Sequence, residues 1–207
     1  MARRTKQEAE KTREALLDAA ELVFLRHGVG KATLEEIARE AGVTRGAVYW
    51  HFENKIAIMR AMHERMKLPL DTMFDQLLDG PDVLNRLKAA CLYVLKALVE
   101  DAHVRNVCTI LRLRWEDINC AESEFACEMQ KKHDEVIARF TRIFSQIEKE
   151  QALAEGLTPK VAAMALHTFF SGVFWDYLRQ PSSYPLKKLA PQLVECFFRG
   201  VIAEKKR

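Results

Sequence analysis

The segment between Thr33 and His51 constrains the fold more than any other part of the chain. Thr33 is followed three residues later by Glu36, which forms a capping box that starts a helix, and Thr44 is a second favourable N-cap. Between them, Gly42 should end the first helix, because glycine adopts the left-handed backbone that a tight turn requires. The pattern predicts two short helices joined by a turn, which is a helix-turn-helix.

Apolar residues recur at helical spacing along most of the 207-residue chain, and only eight glycines and six prolines interrupt them. Helices are predicted over 5–28, 34–41, 45–51, 54–78, 82–101, 103–115, 122–151, 158–179 and 187–204. The predicted fold class is therefore all-α, with about nine helices. We expect an N-terminal three-helix domain with the helix-turn-helix at 1–54 and a larger helical domain at 55–207.

The second helix of the predicted motif has an unusual surface. Val48 and Phe52 have the spacing of inward-facing residues, whereas Arg45, Tyr49 and Trp50 should face outward. Adjacent exposed aromatic rings beside an arginine are unfavourable in water unless a partner covers them. DNA is a suitable partner, because arginine can bind guanine through two hydrogen bonds and an aromatic edge can pack on a thymine methyl group.

Residues 33–55 resemble the DNA-binding signature of the TetR family of transcriptional regulators over their whole length. The glycine turn, the aromatic run 49–52 and Lys55 all lie at the matching positions. The run 44–52 is similar to the AcrR-like branch, whose members repress multidrug efflux-pump genes. Positions 5–60 carry nearly all of the resemblance. The remainder is similar mainly as an all-helical ligand-binding and dimerisation half.

The resemblance implies a role for each outward-facing residue of the motif. Arg45 and Tyr49 would contact base edges, and Gly46 would lie on the same face. The residues expected to contact DNA phosphates are Thr33, Thr44, Trp50, His51 and Lys55. For Trp50, partial burial against the first helix is an alternative.

A single motif of this size binds DNA weakly, because a recognition helix of seven residues spans only about 10 Å. Specific affinity therefore implies a homodimer on a palindromic double-stranded operator. The last two helices carry small and apolar stripes suited to a four-helix interface: Val161, Met164, Ala165, Thr168 and Gly172 on one, and Leu193, Cys196, Phe197, Gly200 and Val201 on the other. The pattern leaves open which of these residues face the partner and which face the core.

Residues 66–178 are rich in aromatic, aliphatic and methionine side chains, which fit either an ordinary core or the wall of an apolar cavity. The resemblance to the efflux-repressor branch implies a pocket for a small hydrophobic or aromatic inducer between the fifth, sixth, seventh and eighth helices. The expected lining residues are Leu92, Lys96, Cys108, Arg112, His133, Ile137, His167, Phe170, Ser171 and Phe174.

Charge constrains the function only through its distribution. The net charge is +3, and residues 1–53 hold nine basic and nine acidic side chains, so DNA would be attracted by local positive patches. The basic N-terminal residues fit either an arm that reaches the DNA backbone or minor groove, or a solvated terminus. These residues are Arg3, Arg4 and Lys6.

Several other classes of function lack support in the sequence. The five cysteines contain no C-x-x-C pair, which predicts reduced thiols and no metal site. Nucleotide-binding, metalloprotease and hydrolase motifs are all incomplete, so neither catalytic residues nor a cofactor is predicted. No apolar run reaches the length of a membrane span and no signal core is seen, which favours a cytoplasmic protein without membrane contact.

The sequence therefore predicts a ligand-responsive transcriptional repressor, not an enzyme, that controls a multidrug efflux system. An inducer would shift the population between two conformations by moving the fourth helix. One alternative keeps DNA binding but makes the protein an activator, or a regulator without a small-molecule inducer. An alternative of another class is a helical protein-interaction module.

Overall fold

A computed structural model describes residues 6–113 and 124–203, without the side chains of 67–71 and 124–126. Nine α-helices account for most of this described part, which confirms the predicted all-α class. They are α1 (Lys6–Lys31), α2 (Leu34–Glu40), α3 (Arg45–His51), α4 (Lys55–Asp75), α5 (Val83–Glu100), α6 (Ala102–Leu113), α7 (Glu124–Glu150), α8 (Pro159–Arg179) and α9 (Leu186–Val201). A 3₁₀ turn at Gln76–Leu78 follows α4.

The helix starts lie where the capping residues predict them. Thr33 and Glu36 form the reciprocal capping box at the start of α2, and the Thr44 hydroxyl accepts from Ala47 N at the start of α3. Thr158 accepts from Val161 N before the proline that opens α8. These caps satisfy amide donors that have no partner inside the helix.

The end of α1 differs from the prediction. The predicted helix ends at residue 28, where Gly28 has a φ of 74° but a ψ of 158°, which is not the left-handed helical conformation of a glycine C-cap. The chain resumes a helical turn after Gly28 and ends α1 at Lys31. Glycine is suited to this break, because side-chain-bearing residues rarely adopt such a backbone.

Contacts divide the chain into two compact units. Of the described residues, the first unit holds 6–67 and 106–113, and the second holds 68–105 and 124–203. Both α4 and α6 therefore have residues in each unit. The predicted boundary after residue 54 is a division by function, and it remains a prediction.

The first unit has an apolar core that α1, α2 and α3 share with the first part of α4. The central side chains are fully buried and include Leu17, Phe24, Ile37, Val48 and Met59. Val107 and Ile110 from α6 complete this core. The helix-turn-helix is thus held in place by a packed base, with its other face left to solvent.

The second unit is a helical bundle in which α7 packs along α8 and α5 packs along α9. Its largest fully buried side chains are Leu87, Leu95, Phe144 and Phe198. Within the described residues, none of the helices combines the length and apolarity needed to cross a membrane.

Candidate functional site

The turn between α2 and α3 is a Schellman motif. Val43 N donates to Ala38 O over 3.0 Å and Gly42 N donates to Arg39 O over 3.2 Å, which satisfies two carbonyls at the end of α2. Gly42 has a φ of 66°, and a Cβ placed there would meet no atom within 4 Å. Glycine is therefore required by the backbone conformation and not by lack of space.

One face of α3 is buried and the opposite face is open to solvent. Val48 is completely buried, whereas Tyr49 is 47% exposed and Trp50 is 71% exposed. The alternative of Trp50 packing against α1 is therefore wrong. His51 is half-buried, and its ring lies edge-on to Trp50 with centroids 4.4 Å apart.

Arg45 is the first residue of α3, and its side chain is 64% exposed. Its Nε lies 2.9 Å from Oε1 of Glu35 in α2. The guanidinium also lies 5.5 Å above the centre of the Tyr49 ring and donates to the Tyr49 hydroxyl over 3.5 Å. The hydrogen bond to Tyr49 and the charge of Glu35 raise the pKa of Arg45, so the side chain is a permanent cation.

The two threonines expected to contact phosphates both cap helices. The Thr33 hydroxyl accepts from Glu36 N over 3.2 Å, and Thr33 N donates to the Glu36 carboxylate over 2.9 Å. Hydrogen bonds from Thr33 lower the pKa of Glu36. The Thr44 hydroxyl accepts from Ala47 N over 3.3 Å. Both threonines and Gly46 are exposed beside α2 and α3.

Lys55 has a structural position that the sequence analysis missed. Its Nζ donates to the carbonyls of Val29, Gly30 and Ala32 over 2.7, 2.8 and 2.9 Å. Burial lowers the pKa of this partly buried ammonium. A lysine ammonium has three donors, so a phosphate contact by Lys55 would compete with these bonds.

A second feature that the sequence analysis missed is a polar cluster that includes a buried carboxylate. Glu21 is only 7% exposed, and its Oε1 accepts from Asn106 Nδ2 of α6 over 2.7 Å. Arg65 of α4 pairs with Glu14 and Asp18 of α1 over 2.9 and 2.8 Å. The available signal was Glu21 itself, because an acid among the apolar residues of α1 needs a partner.

Six of the ten expected ligand-lining residues lie along α7 and α8. The rings of His133 and His167 are edge-on with centroids 4.5 Å apart, and those of Phe170 and Phe174 are 6.1 Å apart. Ile137 and Ser171 are half-buried, as are the two phenylalanines. These residues form a partly exposed strip instead of a sealed core.

The other four expected lining residues are placed differently. Lys96 is 69% exposed and pairs with Glu100 one turn along α5, while Leu92 is half-buried on the same helix. Cys108 and Arg112 belong to the first compact unit, where Cys108 Sγ lies 3.7 Å from the Met66 sulfur. Lys96 thus takes part in a surface ion pair, and its role in a pocket stays a prediction.

The structure assigns the faces of the last two helices that the sequence left open. Val161, Met164, Thr168 and Gly172 are exposed on α8, and Cys196 and Gly200 are exposed on α9. Ala165, Leu193 and Phe197 are half-buried, whereas Val201 is buried in the core of its own chain. The exposed residues of α8 and α9 therefore form a stripe that a partner could cover, and Val201 does not belong to it.

The thiols of Cys91 and Cys108 are buried. Burial raises the pKa of Cys91 to about 12 and that of Cys108 to about 11, so both stay protonated near neutral pH. A thiol must ionise to attack a disulfide or bind a metal. Within the described ranges, no three His, Cys, Asp or Glu side chains are grouped closely enough to hold a metal ion.

Two known families match the sequence. The family described as "Bacterial regulatory proteins, tetR family" matches residues 16–62, and "MAATS-type transcriptional repressor, C-terminal region" matches residues 82–202. The transcriptional repressor BepR of Brucella suis biovar 1 is 34% identical over 186 residues, which are 89% of this chain and 88% of that protein.

Solved structures agree with these matches over nearly the whole chain. NalD, the secondary repressor of the MexAB-OprM multidrug efflux pump in Pseudomonas aeruginosa, is 36% identical with a TM-score of 0.80. The alignment covers 97% of this chain and 100% of NalD. SmeT of Stenotrophomonas maltophilia, in a complex with triclosan, is 32% identical with a TM-score of 0.83, covering 94% and 93% of the two chains.

Proposed function

Because the chain belongs to the TetR family, whose members are DNA-binding transcription factors and not enzymes, we propose that it binds a palindromic operator as a homodimer. It is a TetR-type transcriptional repressor related to multidrug efflux regulators. In the proposed function it represses a multidrug efflux system until an apolar or aromatic small molecule releases it from DNA.

The exposed face of α3 carries the proposal of DNA binding. Tyr49 and Trp50 stand in solvent on a helix that Val48 anchors in the core, and Arg45 lies beside them as a permanent cation. Large exposed rings of this kind are unfavourable without a partner. In the proposed complex, Arg45 and Tyr49 read base edges in the major groove, and neighbouring residues contact phosphates. These neighbours are Thr33, Thr44, Gly46, Trp50 and His51.

Lys55 keeps an indirect role in this proposal. Its three carbonyl bonds join the start of α4 to the end of α1, next to the capping box of α2. We propose that Lys55 supports the phosphate contacts of its neighbours by holding these helix ends together. A direct phosphate contact would require it to give up at least one of these bonds.

The homodimer is proposed through the exposed stripe of α8 and α9. Met164 is 51% exposed, and the small residues Gly172 and Gly200 leave room for close approach of partner helices. Exposed apolar side chains in a contiguous stripe are typical of a subunit interface. Two recognition helices then read successive turns of the operator.

The proposed inducer site is the partly buried strip of α7 and α8, and Leu92 of α5 is a further candidate for its lining. The strip combines aromatic walls from Phe170 and Phe174 with the polar groups of His133, His167 and Ser171, as an orienting pocket requires. The SmeT complex supports an aromatic ligand for this class of repressor. Cys108 and Arg112 belong to the first compact unit and are not part of this strip.

The proposed release mechanism is a population shift carried by helices that have residues in both compact units. These helices are α4 and α6, and α6 contributes Asn106 to the Glu21 carboxylate of α1. A ligand that favours one conformation can lower operator affinity only by its differential affinity for the two states. A coupling of about 2–3 kcal/mol corresponds to a loss of about 30- to 150-fold.

The test of DNA binding is fluorescence anisotropy with duplexes from the intergenic region beside the gene. We expect tight binding that weakens steeply with salt and is reduced by Arg45→Ala. A protein-interaction module would bind none of these duplexes at any salt concentration. A reporter expressed from the bound promoter separates a repressor from an activator. Deletion of the gene for this protein would raise reporter expression if the protein is a repressor and lower it if the protein is an activator.

The test of the inducer site uses triclosan as a probe. Thermal stability should rise with triclosan concentration, and the bound operator duplex should be released over the same range. Phe170→Ala should weaken both effects, whereas Tyr93→Ala, an exposed aromatic of α5, should leave both unchanged. Operator binding that no apolar or aromatic compound weakens would support a regulator without an inducer.

A further inference from the structure

Glu35 of α2 and Arg45 of α3 form an ion pair at the surface where DNA is expected. Oε1 of Glu35 lies 2.9 Å from Nε of Arg45, so the carboxylate contacts the inner nitrogen of the guanidinium. On its other side, the guanidinium lies 5.5 Å above the Tyr49 ring. Arg45 is therefore held between an acid of the first helix of the motif and an aromatic residue of its own helix.

Fold stability does not explain this pair. Both side chains are at least half exposed, and exposed ion pairs contribute little to stability because water and salt screen them. Arg45 also stands at the first position of α3, where a positive charge is unfavourable beside the helix dipole. The negative charge of Glu35 additionally repels DNA phosphates. Neither screening nor the helix dipole therefore gives the pair an evident role in stability.

We propose that Glu35 is a positioning residue that orients Arg45 for base recognition, an inference that rests on the proposed function. With Nε held by Glu35 and NH2 donating one N–H to the Tyr49 hydroxyl, NH1 and the second N–H of NH2 remain for a further partner. Two terminal N–H groups match the O6 and N7 acceptors of guanine. Ordering the arginine before DNA arrives lowers the entropy that binding would otherwise cost.

The negative charge of Glu35 has a second effect on partner choice. An unrestrained arginine near DNA can bind any phosphate, which increases affinity without selecting a sequence. The ion pair with Glu35 keeps Arg45 from binding phosphates, and the carboxylate of Glu35 itself repels phosphates. The pair should therefore lower affinity for all DNA while it increases the preference for guanine at one position of each half-site.

The experiment is selection of bound duplexes from a randomised library, followed by sequencing. Because the library is random, the operator sequence does not have to be identified first. The compared proteins are the wild type, Glu35→Ala, Arg45→Ala and the double variant. The matched control is Glu40→Ala, which removes another acid of α2 that pairs with Arg26 and not with Arg45.

In the expected result, Arg45→Ala abolishes the preference at one base pair of each half-site. Glu35→Ala lowers the preference at that same base pair by about two- to tenfold and raises affinity for random duplexes. The double variant is no less selective than Arg45→Ala, because Glu35 acts only through Arg45. Glu40→Ala selects the same sequences as the wild type.

Three results would overturn the inference. If Glu35→Ala selects the same sequences as the wild type, Arg45 needs no positioning by Glu35. Loss of preference at a different base pair would mean that Glu35 contacts a base itself. A wild-type protein that selects no sequence would remove the proposed function, and this inference with it. The first two results would leave the proposed function standing.

Discussion

The ammonium of Lys55 donates to the main-chain carbonyl of Val29 over 2.7 Å, across 26 positions of sequence. With two further carbonyls bound by the same group, the start of α4 is tied to the end of α1. The arrangement resembles a helix C-cap supplied by a distant side chain. It makes Lys55 part of the scaffold that holds the DNA-binding face.

The first prediction concerns this clamp. Lys55→Met should destabilise the fold by about 1–3 kcal/mol, because a charged donor with three acceptors is lost. Thermal or denaturant unfolding measures the effect. Lys31→Met, which removes an exposed lysine at the end of α1, is the control and should change stability little. Weaker DNA binding by Lys55→Met at unchanged stability would instead identify Lys55 as a phosphate contact.

The second prediction concerns the buried carboxylate of Glu21. Asn106→Leu should destabilise the fold by about 1–3 kcal/mol, because it removes a hydrogen-bond donor to a buried acid. The double variant Glu21→Leu with Asn106→Leu should recover most of this loss, since no buried acid is left without this donor. Denaturant unfolding measures the free energy of unfolding of the single and the double variant. Equal stability of the two variants would contradict this prediction.

The third prediction compares two glycines of the motif. Neither Gly42 nor Gly46 would bring a Cβ within 4 Å of another atom, but only Gly42 has a positive φ. Gly42→Ala should therefore cost about 1–2 kcal/mol, whereas Gly46→Ala should stabilise α3 by up to about 1 kcal/mol. Opposite shifts in thermal midpoint are expected. If Gly46 approaches DNA closely, the more stable variant will bind DNA more weakly.

The fourth prediction concerns the proposed dimer face. Met164→Glu places a charge in the exposed apolar stripe of α8 and should convert the dimer to monomer at micromolar concentration. Sedimentation velocity measures the change. Tyr93→Glu is the control, because Tyr93 is similarly exposed on α5 outside the stripe. A Met164→Glu variant that remains dimeric would place the interface elsewhere.

The fifth prediction follows from the capping box. Hydrogen bonds from Thr33 lower the pKa of Glu36 below its ordinary value of 4.5, so the folded state favours the charged form. The resulting stability is fully present above pH 4.5 and is lost as the pH falls through the lowered pKa. The wild type should exceed Glu36→Gln in stability at neutral pH, with a gap that closes in acid. A gap independent of pH would exclude the charge as its cause.

The clearest agreement between sequence and structure lies at helix starts. Thr33, Thr44 and Thr158 each cap the helix that follows them. The inward direction of Val48 and the fold class were also predictable. Each of these features depends on groups within one or two turns of the same chain, so the sequence contains both partners of the interaction.

The sequence is less informative where a side chain's surroundings depend on how the helices pack. Lys55 was predicted as a phosphate contact because its position matches a motif, yet its acceptors lie more than 20 residues away. Lys96 was expected in a pocket, but it lies on the outer face of α5, paired with Glu100. The acceptors of Lys55 cannot be read from spacing, because they depend on how the helices pack. Glu100 is within reach of Lys96 by its i,i+4 spacing, but the exposure of that face of α5 depends on packing.

The sequence by itself determined the helices, the N-caps at Thr33, Thr44 and Thr158, the turn at Gly42 and the family of the chain. The tertiary structure alone decided that Glu35 meets Arg45, that Lys55 binds the end of α1, and that Val201 is core while Met164 is exposed. The reason is physical. Backbone hydrogen bonds of a helix close over four residues, whereas side-chain partners and buried faces are set by which helices come together.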